Sequence, residues 1–204
     1  DSVLDVIRVA CYIHQIPLAL DVVKDAHDKG YETTLNLMAV SVVQDRELDE
    51  ALAAIATCPA DAVYLVDSYG AFYSEQVRDL TIMYLNAMEG TGKDIGYHGH
   101  NNQMLAYANT IEACIVGANR LDATLDGLGR GAGNCPMELL VGFLKNPKFK
   151  LRPVLDTIQE RVVPLRKDMD WGFSHAYMIT GQMNRHPRDA MKWRDGDKPD
   201  VLPL

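Results

Sequence analysis

Short runs of apolar and β-branched residues alternate five times with segments whose apolar residues recur at helical spacing, all before residue 147. This alternation marks repeated βα units on a parallel sheet, because parallel neighbours need a crossover long enough to hold a helix. The predicted strands cover residues 4–11, 32–40, 62–67, 95–98 and 120–123. Each is short and nearly continuously apolar, as a strand covered on both faces should be. The predicted helices carry the stripes Ala19, Val22, Val23 and Ala26; Leu48, Ala51, Leu52 and Ile55; Val77, Leu80 and Tyr84; and Met104, Ala108, Ile111 and Ile115. A fifth runs over 137–144, and each stripe is suited to cover a sheet face.

Asn146-Pro147 and Lys148-Phe149-Lys150 break the alternation, and Pro153 is placed to open another helix reaching about residue 167. From Asp168 onward, Pro187, Pro199 and Pro203 among scattered charges predict short helical pieces and a weakly held end. Five βα units can build an open, doubly wound sheet or part of an eight-fold barrel. Periodicity does not choose between them.

Charge removes several partners. With 20 basic against 28 acidic side chains the formal charge is −8, and no basic run exists to displace counterions from nucleic acid or an anionic membrane surface. No apolar stretch approaches the roughly 20 residues that span a bilayer, and no secretory pattern opens the sequence. Cys11, Cys58, Cys114 and Cys135 are scattered without a C-x-x-C pair, so a reduced, cytoplasmic setting is expected. Cys114 and Cys135 read as small buried residues.

The strongest local motif is Tyr97-His98-Gly99-His100-Asn101-Asn102, directly after a predicted strand. Side chains at i and i+2 of an extended segment point the same way, so His98 and His100 project together from the strand's carboxyl end. Two imidazoles aimed at one point suit a divalent metal. The alternative is a pair of helix-entry histidines capped by Asn101.

A second motif, Asp126-Gly127-Leu128-Gly129-Arg130-Gly131-Ala132-Gly133-Asn134, permits a backbone that turns sharply or approaches a ligand closely. Gly127, Gly129 and Ala132 also satisfy the loose dinucleotide pattern G-x-G-x-x-A. It follows the fifth strand rather than the first, however, and Leu151 stands where a ribose-binding acid belongs. A third motif ends a strand in Asp67-Ser68-Tyr69-Gly70, where a carboxylate and a hydroxyl can meet a substrate or close the strand with an Asx turn. Arg8 shares a strand face with Val6 and Ala10 and either points its charge into a barrel lumen or snorkels; Asn36 is a weaker candidate of the same kind. His14, His27, His175 and His186 read as surface or structural residues.

Taken jointly, His98-Gly99-His100-Asn101-Asn102, Ala108-Asn109-Thr110-Ile111, Arg120-Leu121-Asp122-Ala123-Thr124-Leu125 and Gly129-Arg130-Gly131-Ala132-Gly133-Asn134 resemble the HMGL-like metal-dependent lyases and synthases. The match covers about residues 60 to 145 closely and 4 to 60 less so. Asp67-Ser68 and the glycine stretch are most similar to the 4-hydroxy-2-oxoacid aldolase branch. The synthases carry Glu-Arg within the glycine loop, and here the Glu is absent. Claisen-type branches using acyl-CoA, like isopropylmalate synthase or HMG-CoA lyase, and a non-catalytic metal-binding homologue are the alternatives.

The resemblance implies a (β/α)8 barrel of which 1–147 supplies about the last five units, with 148–204 as a helical C-terminal extension. It implies His98 and His100 as ligands of a divalent ion (Mn²⁺, Mg²⁺ or Co²⁺) and Ser68, with Asp67, Arg8 and Asn134, as substrate-binding residues. Tyr177, within Gly172-Phe173-Ser174-His175-Ala176-Tyr177, is implied to contact the substrate hydroxyl. The implied reaction cleaves a 4-hydroxy-2-oxoacid to pyruvate and an aldehyde, with the ion stabilising the enolate.

The family's Arg-Asp pair, which brings a third ligand and a nearby histidine base, has no counterpart on a strand here. Arg78-Asp79, Arg188-Asp189 and Arg194-Asp195 fall on a helix or in the tail, and Asp45-Arg46 is reversed. The chain is therefore expected to be part of a longer protein, three further units of this size adding about 85 residues upstream. Isolated, it is expected to expose an apolar sheet edge and to show little or no catalysis. Relatives with a longer C-terminal domain dock an acylating aldehyde dehydrogenase. With only about 50 residues after Thr157 that partner is not expected, and a homo-oligomer is compatible with the sequence.

Overall fold

The structure, a computed structural model, describes residues 2–194; Pro199, Pro203 and Asp195 of the tail readings lie outside the described residues. Two compact units emerge. The first comprises the chain up to Ser68, Ser74–His98 and Glu112–Leu121, and the second Tyr69–Tyr73, Gly99–Ile111 and the described chain from Asp122. Among the described residues no helix is long and apolar enough to cross a membrane.

The first unit is built on a five-stranded parallel sheet: β1 (Val6–Cys11), β2 (Glu32–Leu37), β3 (Ala62–Asp67), β4 (Asp94–Gly99) and β5 (Arg120–Leu121). Between them lie α1 (Ile16–Asp28), α2 (Asp45–Ala56), α3 (Ser74–Ala87) and α4 (Ala106–Val116). Strand order is strictly sequential, β1-β2-β3-β4-β5. A doubly wound sheet reverses order at a switch point to place helices on both faces, whereas sequential right-handed crossovers put them all on one. That order answers the choice left open by periodicity: the five units follow one another as in a (β/α)8 barrel.

Alternation sorts the strand residues. Thr33, Leu35, Leu37, Val63, Leu65, Ile95 and Tyr97 lie on the helix-covered face, all at most 3% exposed. On α2, Leu48, Ala51, Leu52 and Ile55 are all buried as the sequence predicts, each large side chain worth about 1.5–3 kcal/mol. The opposite face carries Arg8 and Ala10 beside Thr34 and Asn36, then Tyr64, then Gly96, then Arg120. It is curved. Arg120 of β5 bonds Asp94 of β4 at 2.7 Å and also Glu32 of β2. Three strand spacings, about 14 Å on a flat sheet, separate β2 from β5, so the sheet must curl to bring those two charges together. Arg8 of β1 likewise reaches over β2 to lie 4.4 Å from the centre of the Tyr64 ring.

Two predicted stripes shift. In α1 the buried face is Ile16, Ala19, Val23 and Ala26, with Val22 43% exposed. In α4 the buried residues are Ala106, Asn109, Thr110 and Ala113, while Ala108 and Ile115 face solvent and Met104 precedes the helix with φ 61°. The polar pair is buried with its hydrogen bonds made: Asn109 Nδ2 donates to the Phe72 carbonyl at 2.8 Å and Thr110 Oγ1 to that of Ala106 at 2.7 Å. β2 stops at Leu37 because Ala39 is left-handed (φ 55°) and opens the short turn Val40–Val42. Among the described residues β1 is a sheet edge, with Leu4 and Val6 exposed before and within it.

The second unit holds α5 (Met137–Leu144), α6 (Leu151–Thr157), which continues through one π turn into α7 (Val163–Leu165), α8 (His175–Gln182) and α9 (Arg188–Arg194). Pro153 lies in the first turn of α6, as expected for a residue without a donor. The break at Asn146-Pro147 is confirmed.

Candidate active site

In the first unit, the candidates divide between the two faces of the sheet. Arg8 and His98 fall on the concave face, the latter in register with Gly96 two residues earlier. Gly96 makes room there for Tyr64: a Cβ on it would lie 2.4 Å from the ring. Asn36, 9% exposed, shares this face, and its Oδ1 is buried without a hydrogen-bond partner. Alternation places Asp67, 1% exposed, with Val63 and Leu65 on the other face. Ser68 follows in a tight turn, its N–H donating to the Val66 carbonyl and its Oγ accepting the N–H of Ala39 at 2.8 Å. Ala39's left-handed backbone is thus tied to the serine hydroxyl.

The second unit gathers His100, Asn134 and Tyr177 around the glycine loop. His100 and Asn134 form an isolated antiparallel bridge, which sets their side chains on one side, about 5 Å apart at Cβ. The Asn101 N–H donates to the Gly133 carbonyl at 2.8 Å, and the Asn134 N–H to that of Gly127 at 3.0 Å. Asn134 turns its amide nitrogen to the Leu128 carbonyl at 3.2 Å, which leaves Oδ1 buried and without a hydrogen-bond partner. A Cβ on Gly129 would sit 2.3 Å from that amide nitrogen. Glycine at 129 is therefore what lets the Asn134 side chain adopt this pose.

Tyr177 is 3% exposed and enters at the third position of α8, where its N–H donates to the capping Oγ of Ser174 at 3.4 Å. Its ring packs on Gly131, and its carbonyl accepts Asn102 Nδ2 at 3.3 Å and Thr180 Oγ1 at 2.9 Å. Asn101 Oδ1 accepts the N–H of Ala106 at 3.2 Å, so the capping expected of this asparagine is present at the start of α4.

The family model for HMGL-like proteins matches residues 13–161. The chain belongs to the HMGL-like family. It is 37% identical over 143 residues to an oxaloacetate decarboxylase of Mycobacterium tuberculosis, covering 70% of this chain and 41% of that protein. It is 36% identical over 163 residues to a 4-hydroxy-2-oxovalerate aldolase of Geobacillus stearothermophilus, covering 78% and 46%. Among solved structures, the N-terminal domain of a Bacteroides vulgatus protein provisionally named an aldolase superposes with a TM-score of 0.82 at 31% identity, over 94% of this chain and 64% of that one. The chain thus spans about half the length of the curated relatives it matches.

For an HMGL-like chain, the sequence motifs locate the loop but not what holds it. Asp126 has a left-handed backbone (φ 55°), a strained state for a non-glycine residue. Its N–H donates to Glu138 Oε2 at 3.1 Å, its carbonyl accepts Trp171 Nε1 at 2.9 Å, and its carboxylate accepts Arg166 Nε at 2.9 Å. Arg166 also stacks 4.1 Å over the Trp171 ring, and the Gly172 N–H donates to the Gly131 carbonyl at 3.0 Å. Arg166, Trp171 and Gly172 therefore hold the glycine loop at Asp126 and at Gly131. Asn102, 3% exposed, is a further contributor, filling space that only glycine at 70 leaves free: a Cβ there would lie 2.7 Å from its backbone nitrogen.

Proposed function

We propose that the chain is part of a divalent-metal-dependent aldolase that cleaves a 4-hydroxy-2-oxoacid into pyruvate and an aldehyde. The observation carrying this reading is the pairing of His100 with Asn134, whose buried Oδ1 lacks a hydrogen-bond partner. Two imidazoles and an amide oxygen are donor types a divalent ion such as Mn²⁺ accepts. Among the described residues no three His, Cys, Asp or Glu gather. His98 and His100 would hold the ion, with Asn134 binding it or the substrate, and substrate oxygens completing its shell. When bound, the ion supplies Lewis-acid stabilisation of developing enolate charge.

The chain's own residues do the rest. Ser68 and Arg8, which lies over the Tyr64 ring, bind the substrate carboxylate, with Asp67 beside Ser68 at the same strand end. Tyr177 orients the 4-hydroxyl. Loss of that proton to a base breaks the C3–C4 bond and releases the aldehyde; protonation of the enolate then gives pyruvate. Residues 1–147 act as the barrel portion and 148–204 as the extension that holds the glycine loop.

The test is pyruvate release by the full-length protein from 4-hydroxy-2-oxopentanoate with Mn²⁺. His98→Ala and His100→Ala should each lower the rate by at least about a hundredfold and reduce bound manganese. No pyruvate with any divalent metal would sink the proposal. The relative named oxaloacetate decarboxylase supports a second reading, since loss of CO₂ from oxaloacetate leaves the same enolate; CO₂ release with no retro-aldol activity would select it.

A further inference from the structure

Two polar atoms on the concave face of the first unit are buried without a hydrogen-bond partner, and they are neighbours. Thr34 Oγ1 and Asn36 Oδ1 stand two residues apart on β2, where alternation turns both side chains the same way. Thr34 is 1% exposed and Asn36 9%. Leaving such groups unpaired costs free energy. The preceding side chains of the same strand are paired, Glu32 with Arg120 and Thr33 with Asp61.

The register gives the pair its surroundings. Small residues flank it on one diagonal, Ala10 beside Asn36 and Ala62 beside Thr34; on the other stand Arg8 beside Thr34 and Tyr64 beside Asn36. The exposed Arg8 side chain crosses β2 along that second diagonal to reach the Tyr64 ring, and it bonds neither Thr34 Oγ1 nor Asn36 Oδ1. Asn36 is the last residue but one of β2, near the carboxyl end where parallel sheets gather their sites, and His98 shares this face on β4.

Thr34 has a proton to donate, and Asn36 Oδ1 accepts only. A carboxylate satisfies the first but has no proton to give the second. A hydroxyl matches both, accepting from Thr34 while donating to Asn36. Residues i and i+2 of a strand lie about 7 Å apart at Cα. Side chains reaching inward from them are bridged by one oxygen making two bonds of about 2.8 Å.

We propose that Thr34 and Asn36 recognise a hydroxyl, uncovered when Arg8 leaves Tyr64, and that the substrate is a 4-hydroxy-2-oxoacid with a further hydroxyl on its tail. The match to a hydroxyl rests on the first unit alone; its assignment to a substrate tail rests on the lyase reading. The C3–C4 bond breaks as before, and the extra hydroxyl leaves unchanged on the aldehyde, which is then a hydroxyaldehyde.

The test compares kcat/KM for pyruvate release by the full-length protein with Mn²⁺ from 4,5-dihydroxy-2-oxopentanoate and from 4-hydroxy-2-oxopentanoate. The dihydroxy acid should be favoured at least about tenfold. That ratio should fall toward one in Thr34→Val and in Asn36→Leu, near-isosteric exchanges whose folding urea midpoints check. Equal values for the two acids, or a ratio that both variants keep, overturns the inference, the pair then holding an ordered water only, and leaves the lyase reading standing. If neither acid yields pyruvate the lyase reading fails, and binding decides the pair. A saturable NMR shift of the Asn36 side-chain amide in metal-free protein, given by the dihydroxy acid and not by the other, supports it. No shift, or the same shift with both acids, overturns it.

Discussion

The ring of Tyr177 occupies the space in which a side chain on residue 131 would begin. A Cβ on Gly131 would lie 2.7 Å from the ring carbons Cε1 and Cζ, and the backbone there has φ 61°. Gly131→Ala should therefore destabilise the protein by about 1–3 kcal/mol, combining left-handed strain with a displaced ring. The same exchange at Gly142, in α5 with open space around it, should stabilise by about 0.5–1 kcal/mol. Urea unfolding of the two variants tests both signs.

Asp126 is strained, and three partners hold it there. Trp171→Phe keeps most of the ring but removes the N–H on the Asp126 carbonyl, an expected loss of about 1 kcal/mol. Arg166→Ala removes a stacked, 43% exposed guanidinium and its ion pair, for which solvent screening leaves about 0.5–1 kcal/mol. Hydrogen exchange should then accelerate at Gly131 to Asn134 while the sheet of the first unit stays protected. Uniform acceleration would show that the grip is not local.

Asn109 is 1% exposed and satisfies the Phe72 carbonyl. Asn109→Ala leaves a cavity and that acceptor unbonded, costing about 1–3 kcal/mol. Ile115→Ala, on the same helix but 68% exposed, should change stability by less than about 0.5 kcal/mol. A larger loss at Ile115 would restore the apolar stripe that the sequence suggests.

Alkali should weaken the fold over a defined window. Burial pushes the Cys11 thiol from 9.0 to about 11. Cys135 rises to about 11 as well, through burial first, with Glu138 adding and the Thr110 hydroxyl opposing. A raised folded value means the stabilising contribution is fully present below pH 9 and lost as pH climbs to 11. Two units at 1.36 kcal/mol each make this about 2–3 kcal/mol per thiol. The loss between pH 8.5 and 11, followed by urea midpoints, should shrink in a Cys11→Ala, Cys135→Ala variant; an unchanged slope would exclude the thiols as its source.

All five strands and the α2 face were legible because period 2 and period 3.6 patterns are local and burial enforces them. The α4 face was not. Asn109 and Thr110 read as polar until their partners are known, and Ile111 and Ile115 attract the stripe instead. The motif residues show the same limit. Spacing locates His98, His100 and the glycine loop, whereas Arg166 and Trp171 hold Asp126 from 40 and 45 residues away. No local pattern announces such a grip.

Each βα unit rests on the one before it, so most of the sheet can assemble from contacts close in sequence. Closing short loops is rapid and carries little entropy. The tie between Glu32 and Arg120 differs: they stand 88 positions apart in the chain, and they meet only when the intervening strands are in place and curled. That ion pair should therefore form late, as a latch on a sheet already assembled. Removing Arg120 should then speed unfolding while leaving the folding rate nearly unchanged.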